Sequence, residues 1–219
     1  MPIKLIIFDL DGTLVDSSID IANAINYAVE PFGIQPVTVE ETIRLVGEGI
    51  TRLMEKVIER GQDANVRSRN KDLLIDRFLE YYSSHLTDNT TVYPGIIETL
   101  EKLNDCKKAV ISNKRESLSV RTLENLLLLK YFDLIVGSET TTERKPSPMP
   151  VIYVLSNLNV KAENAVIVGD SNLDIEAGRA AGIKTIAVTY GYRPIELLKG
   201  ADFIIDRMDE LVYVLKSLR

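Results

Sequence analysis

Six short apolar runs, helical periodicity between most of them, and one long strand-free stretch after the first run together predict an α/β fold. The expected architecture is a doubly wound, Rossmann-like parallel-sheet core with an inserted α-helical domain. The runs are residues 4–8, 107–111, 134–136, 165–168, 184–188 and 203–205. Each is nearly continuous in Ile, Val, Leu, Phe or Ala and stops at a polar residue or glycine. That pattern suits strands buried on both faces of a parallel sheet.

The helices are read from their apolar stripes. Residues 115–130 carry Leu118, Thr122, Leu126 and Leu129 on one side. Residues 173–181 are rich in small side chains and suit close packing. Residues 208–218 place Leu211, Leu215 and Leu218 together. From residue 16 to about residue 92 there is no convincing strand. Ser17 and Asp20 offer a capping-box-like start. Ile21, Ile25, Ala28 and Phe32 follow at helical spacing, and residues 40–60 and 63–84 also read as helices. The second of these has Leu73, Leu74, Phe78 and Tyr81 as its apolar side. The Tyr93-Pro94-Gly95 turn returns the chain to α/β texture. Residues 1–15 and 93–219 are therefore expected to form the core, and 16–92 the helical insertion.

Composition narrows the function classes. The 26 basic residues are outnumbered by 32 acidic ones, which disfavours sequence-independent nucleic-acid binding. One Cys and one His exclude a disulfide framework and a zinc site built from Cys and His. No apolar run reaches the ~18 residues of a membrane span. The run before Asp9 contains Lys4 and is too short for a signal-peptide core. The expectation is a cytoplasmic protein with no membrane partner.

The first run leads directly into Asp9-Leu10-Asp11-Gly12-Thr13. Residues two apart on an extended segment point the same way, so Asp9 and Asp11 project together, and Gly12 permits a sharp turn. A second acidic pair, Asp170 and Asp174, follows the fourth run, about one helical turn apart. Singly, each could be a helix cap or a favourable helix-start charge. Those readings do not account for four carboxylates at two strand ends of one sheet, where ligands of such sheets bind. Like charges ~4 Å apart repel by about 4 kcal/mol at an effective dielectric near 20, so positive charge is required. An all-oxygen donor set selects a hard ion, with Mg²⁺ the expected one. Lys145, in a stiff Lys-Pro-Ser-Pro loop, is a candidate second cation, and an ordinary surface lysine is the equal alternative. Ser112 and Asn113 end the second run and could donate to an anion, although Ser-Asn is also ordinary turn chemistry.

Taken in order, Asp9-Leu-Asp11-Gly-Thr13, Ser112-Asn113, Lys145-Pro146 and Gly169-Asp170-x-x-x-Asp174 resemble the four motifs of the haloacid dehalogenase-like hydrolase superfamily. The insertion after the first motif is similar to that superfamily's type-1 helical cap. Finer features resemble its phosphoglycolate phosphatases: Asp9 to Ser17, Val46-Gly47-Glu48-Gly49, Ser112-Asn-Lys114, Val168-Gly-Asp-Ser171 and Thr189-Tyr-Gly-Tyr192. The resemblance implies a phosphatase of a small anionic phosphate ester, 2-phosphoglycolate foremost. A pyrophosphatase or a sugar-phosphate phosphatase or mutase is the alternative within the superfamily. It implies Asp9 as nucleophile forming an aspartyl-phosphate, and Asp11 as general acid and base. It further implies Mg²⁺ held by Asp9, the Asp11 backbone carbonyl and Asp170, with Asp174 orienting ligand waters. Ser112 and Lys145 would grip phosphoryl oxygens, supported by Thr13 and Asn113. Gly47, Glu48 and Gly49 would be the cap's contribution to substrate binding. The cap is expected to close over the site on hinges near residues 16–17 and 92–93.

Departures sharpen the reading. Asp11 argues against the dehalogenase branch, which lacks the second acid. The only histidine, His85, falls late in the insertion, which disfavours the mutase branch. No cap lysine stands out for Schiff-base chemistry; Lys56 reads as solvated. A signalling receiver, a non-enzymatic phospho-acceptor, would be shorter and capless, and a non-catalytic phosphate binder would not need every motif filled. Cys106 reads as a passive thiol and the leucines at 126–129 as core. Monomer and homodimer both remain open.

Overall fold

The structure is a computed structural model that describes residues 2–60 and 71–218. The chain divides into two compact units: Met1–Asp16 with Val92–Arg219, and Ser17–Thr91.

The first unit is built on a six-stranded parallel sheet. Its strands are β1 (Leu5–Phe8), β4 (Lys107–Ile111), β5 (Leu134–Val136), β6 (Ala165–Gly169), β7 (Lys184–Val188) and β8 (Phe203–Ile205). The two-residue strands β2 (Val15–Asp16) and β3 (Thr91–Val92) mark where the chain leaves and rejoins this unit. The sheet order is β5-β4-β1-β6-β7-β8. From β1 the chain steps outward through β4 and β5, then returns to β6 on the other side of β1 and steps outward again. The topological switch therefore lies between β1 and β6, and ligands of such sheets bind beyond the carboxyl ends of strands at that point.

Continuous apolar runs are required because both faces are covered. Ile6 and Phe8 of β1 share a buried layer with Val110, Val166, Val168 and Ile186. That layer packs on α5 (Ile96–Lys102) and α9 (Leu211–Ser217) through Ile96, Leu100, Leu211 and Leu215. Leu5 and Ile7 point the opposite way. They pack with Ala109, Ile167, Val151, Val154 and Ala177 against α7 (Met149–Asn157) and α8 (Asn172–Ala180). Successive side chains of one strand thus feed two separate cores.

Helices α5 and α7 carried no expectation from the sequence. The helix expected over residues 115–130 stops early: α6 spans Glu116–Asn125, and Leu127 takes a left-handed backbone conformation (φ 59°). Within the 126–129 run, Leu128 is buried and Leu126 and Leu129 are partly buried, but Leu127 is 77% exposed. The run is core packing with one outward residue at the turn.

The second unit comprises α1 (Ser18–Val29), α2 (Val39–Leu45), α3 (Ile50–Glu59) and α4 (Lys71–Ser84). The residue 63–70 part of the helix expected over 63–84 lies outside the described residues. The single helix expected over 40–60 is two helices, broken at Val46–Gly49 where Gly47 and Gly49 have positive φ (111° and 83°). L side chains rarely adopt that conformation, so the two glycines stop the helix. The inward side of α4 is Leu74, Phe78 and Tyr82, whereas Leu73 is 50% exposed. Tyr81 instead stacks between Tyr27 and His85, with centroids 4.8 and 4.2 Å away. Arg77 ties α4 to α1, donating to Tyr27 O at 3.0 Å and covering the Tyr27 ring.

The expected capping box at Ser17 and Asp20 is absent: the Ser17 side chain makes no capping hydrogen bond. Buried Asp20 accepts instead from the backbone N–H groups of Asn89 and Thr90, from Asn89 Nδ2 and from Thr90 Oγ1, at 2.7–3.1 Å. A reciprocal box occurs at Thr38 with Glu41, whereas at Ser171 the N–H and the hydroxyl both donate to Asp174 Oδ2. Among the described residues no helix is long and apolar enough to cross a membrane.

Candidate active site

The register of the sheet brings the two acidic motifs together. Phe8 pairs with Val168, and the Asp9 N–H donates to Val168 O at 2.9 Å. Asp9 and Asp170 therefore leave neighbouring strand ends at nearly the same height, beside the switch point. Asp174 follows on the first turn of α8. Ligand atoms of Asp9, Asp170 and Asp174 all lie within 4.8 Å of one another.

One cation sits inside this cluster. Lys145 Nζ donates to Asp9 Oδ1 (2.7 Å), Asp174 Oδ1 (2.7 Å) and Ile111 O (2.8 Å). All three ammonium protons are engaged, so Lys145 is not a surface lysine. Burial alone would lower its pKa, but Asp174 and Asp9 outweigh that and hold it well above the ordinary lysine range. The loop carrying it is tied down as well, because Asn113 Nδ2 donates to Lys145 O at 3.0 Å. Asn113 thus supports the site through the lysine backbone. Asp174 is also engaged on its second oxygen, which accepts from Ser171 Oγ (2.6 Å) and Ser171 N–H (3.2 Å).

One lysine does not balance three buried carboxylates. Burial raises Asp9 first, Lys145 pulls it down, and Asp174 and Asp170 push it back up, to about 8. Asp170 is raised to about 7 by burial and then Asp174, against the lowering effects of the Tyr192 N–H, Arg193 and Lys145. Protein groups alone thus leave the cluster short of positive charge at neutral pH. The donors are hard oxygens with no His or Cys. Residues of this kind fit a hard divalent cation.

Asp11 leaves the strand end beside Asp9, and its carboxylate accepts from Lys114 Nζ at 2.7 Å. That pairing had no role in the sequence reading, although Lys114 belongs to the Ser112-Asn-Lys114 stretch. A lysine two residues past a motif serine gives no periodic signal, because loop geometry alone decides where it reaches. Gly12 has φ 89°, and a Cβ there would collide with the Asp170 carboxylate. The turn therefore needs glycine both for its conformation and for clearance. Ser112 Oγ accepts the Lys114 N–H at 3.2 Å and keeps its own proton to donate. Thr13 Oγ1 is buried with no hydrogen-bond partner among the described residues. A buried orphan hydroxyl in this loop suits a hydrogen bond to a polar ligand atom.

Gly47, Glu48 and Gly49 belong to the helical unit, in the α2–α3 connection. There Glu48 pairs with Lys56, and its other oxygen lies 4.0 Å from Arg52 Nε. Lys56 also donates to Leu45 O, so it is a paired side chain that braces the Gly-Glu-Gly turn and not a solvated one. His85 is partly exposed, stacked on Tyr81 and 2.6 Å from Asp88. Cys106 is partly buried and its Sγ donates to Ile3 O.

The profile of the haloacid dehalogenase-like hydrolase family matches residues 6–188. A phosphoglycolate phosphatase of Aquifex aeolicus is 39% identical over 220 residues, covering 98% of this chain and 97% of its own. One from Chromobacterium violaceum is 39% identical over 217 residues, with coverage of 98% and 97%. The crystal structure of a predicted phosphoglycolate phosphatase from Haemophilus somnus 129PT superimposes with a TM-score of 0.90 at 28% identity, covering 97% of both chains.

Proposed function

Because the chain belongs to the haloacid dehalogenase-like hydrolases and is a phosphoric monoester hydrolase, we propose that it hydrolyses 2-phosphoglycolate through a phosphorylated Asp9. The observation that carries this reading is the meeting of Asp9, Asp170 and Asp174 around Lys145 at the β1–β6 switch point. The relatives named for phosphoglycolate support the substrate.

In this reading an Asp9 carboxylate oxygen attacks phosphorus, a P–O(Asp) bond forms, and the ester P–O bond breaks. Asp11 gives its proton to the departing alkoxide oxygen. It then takes a proton from water as that water attacks the phosphorus and the P–O(Asp) bond breaks. General acid and base help of this kind is worth roughly 10²–10⁴-fold. Lys114, 2.7 Å from Asp11, holds that carboxylate in place in the free enzyme. A phosphoryl oxygen binding at Lys145 would replace one of its three acceptors, while the Ser112 hydroxyl donates to a second oxygen. Asp9, the Asp11 carbonyl and Asp170 would hold Mg²⁺, with Asp174 behind them. When bound, the ion would neutralise the carboxylates and the developing phosphoryl charge. Residues Ser17–Thr91 would serve as the cap, with Gly47, Glu48 and Gly49 in the substrate-selecting turn.

A kinetic panel of 2-phosphoglycolate, pyrophosphate, hexose phosphates and a chromogenic phosphate ester tests the proposal. The highest kcat/KM is expected for 2-phosphoglycolate. A tenfold preference for pyrophosphate or a hexose phosphate would reject the substrate and leave the reaction class standing.

A further inference from the structure

The loop Thr189–Arg193 follows β7 and has no part in the chemistry above, yet it touches that chemistry at several points. The Tyr192 N–H donates to Asp170 Oδ2 at 2.6 Å. A Cβ on Gly191 would run into the Asp170 side chain and the Gly12 carbonyl oxygen. A Cβ on Gly12 would also meet the Asp170 carboxylate and come to 3.0 Å from the Tyr192 ring. The Asp170 side chain thus lies against two backbone segments that come this close only because both present glycine.

The two tyrosines bolt this loop to the first motif. Tyr190 OH donates to Thr13 O at 2.9 Å, and Tyr192 OH donates to Asp16 Oδ1 at 3.1 Å. The Tyr190 ring packs on Tyr93, with centroids 4.7 Å apart, and the Tyr93 N–H returns to Leu14 O at 3.1 Å. The aromatic contacts therefore link three segments that are distant in sequence: residues 12–16, Tyr93, and residues 190–192.

We infer that Tyr190-Gly191-Tyr192 is a positioning element that fixes the Asp170 carboxylate, engaging Oδ2 and leaving Oδ1 to ligate the divalent ion. This rests on the metal reading above. Gly191 supplies the clearance, the Tyr192 N–H sets the carboxylate plane, and the two hydroxyls hold the loop against the Asp9–Asp16 segment. None of the three touches the reacting phosphorus. Their contribution passes through Asp170, in the way that groups behind a metal ligand commonly tune affinity by 10–100-fold.

The test is Mg²⁺ binding to metal-free protein by titration calorimetry, with the thermal midpoint of each metal-free variant measured alongside. Gly191→Ala is expected to weaken Mg²⁺ binding at least tenfold, and Tyr192→Phe about threefold to fivefold, with unchanged far-ultraviolet spectra. In an Asp170→Asn background, Gly191→Ala should add no further loss, because the residue it acts through has already been altered. Full additivity of the two substitutions, or wild-type affinity in Gly191→Ala, would overturn the inference. If Gly191→Ala does not fold, Tyr192→Phe decides. Weaker binding at an unchanged midpoint supports the inference, and unchanged affinity overturns it. Wild-type protein that takes up no Mg²⁺ would sink the metal reading itself, and this inference with it.

Discussion

Lys145 illustrates how one residue's environment reverses its expected behaviour. A lysine beside two prolines is ordinarily a solvated loop charge, whereas here its ammonium is buried against two carboxylates and a carbonyl. With three carboxylates around one ammonium, removing the lysine would leave buried negative charge without compensation, which is why such clusters are sensitive to single substitutions. Asp9 is the most exacting case, since in the proposed mechanism it has to be ionised and aimed to attack phosphorus. Asp9→Asn should reduce kcat by about 10³-fold or more, in line with loss of a nucleophile. The variant should still fold, because the amide is nearly isosteric and relieves like-charge crowding. Steady-state rates and circular dichroism together check this, and wild-type turnover in that variant would refute the assignment.

Among the elements, the start of α1 is fixed by a residue far away in sequence. Asp20 satisfies donors of Asn89 and Thr90, tying the first helix of the helical unit to its last segment. Asp20→Ala would strand these buried donors at about 1–3 kcal/mol each, partly relieved by water. A loss of about 2–4 kcal/mol in denaturant unfolding is expected, with little change in the core. A milder example joins β7 to the segment before β8. Asp202 accepts from Lys184 Nζ, the Thr185 N–H and the Thr185 hydroxyl. Burial pushes its pKa up, but those donors together prevail and hold it below the ordinary aspartate value. A depressed folded pKa gives stability that is present above the unfolded value and lost as pH falls through the folded one. Asp202→Asn should therefore be less stable than wild type at pH 6 by about 1 kcal/mol. The gap should close below about pH 4. A constant gap across that range would contradict the role of the carboxylate charge.

At the scale of the molecule, the unbalanced carboxylates would make a bound divalent metal a stabilising ligand. Anything that binds only the folded state adds RT ln(1 + [L]/Kd), about 2.7 kcal/mol at a hundredfold excess over Kd. Mg²⁺ should raise the thermal midpoint by several degrees, chelator should reverse the rise, and Asp170→Asn should diminish it. Calorimetric scans with and without Mg²⁺ would reveal this, and an identical midpoint in both would argue against a metal held by these residues.

The strands themselves, the acidic pairs at two strand ends and the helical insertion were legible in the sequence because each has a short-range signature. Buried parallel strands read as apolar runs, and Asp-x-Asp before Gly announces two carboxylates on one side of an extended end. The break at Gly47–Gly49 escaped because both flanking helices share apolar texture and only backbone conformation separates them. Asp20 looked like a helix cap because its donors lie about seventy residues onward. Lys114 and Gly191 were visible as letters in familiar stretches, but nothing local says that one reaches Asp11 and the other gives Asp170 room. Sequence by itself thus determined which chemical groups this protein owns and the elements that carry them, since periodicity and turn chemistry act over a few residues. Only the tertiary structure decided which groups meet, because the β1–β6 register and the loop after β7 bring together carboxylates, cations and glycines that the chain keeps far apart.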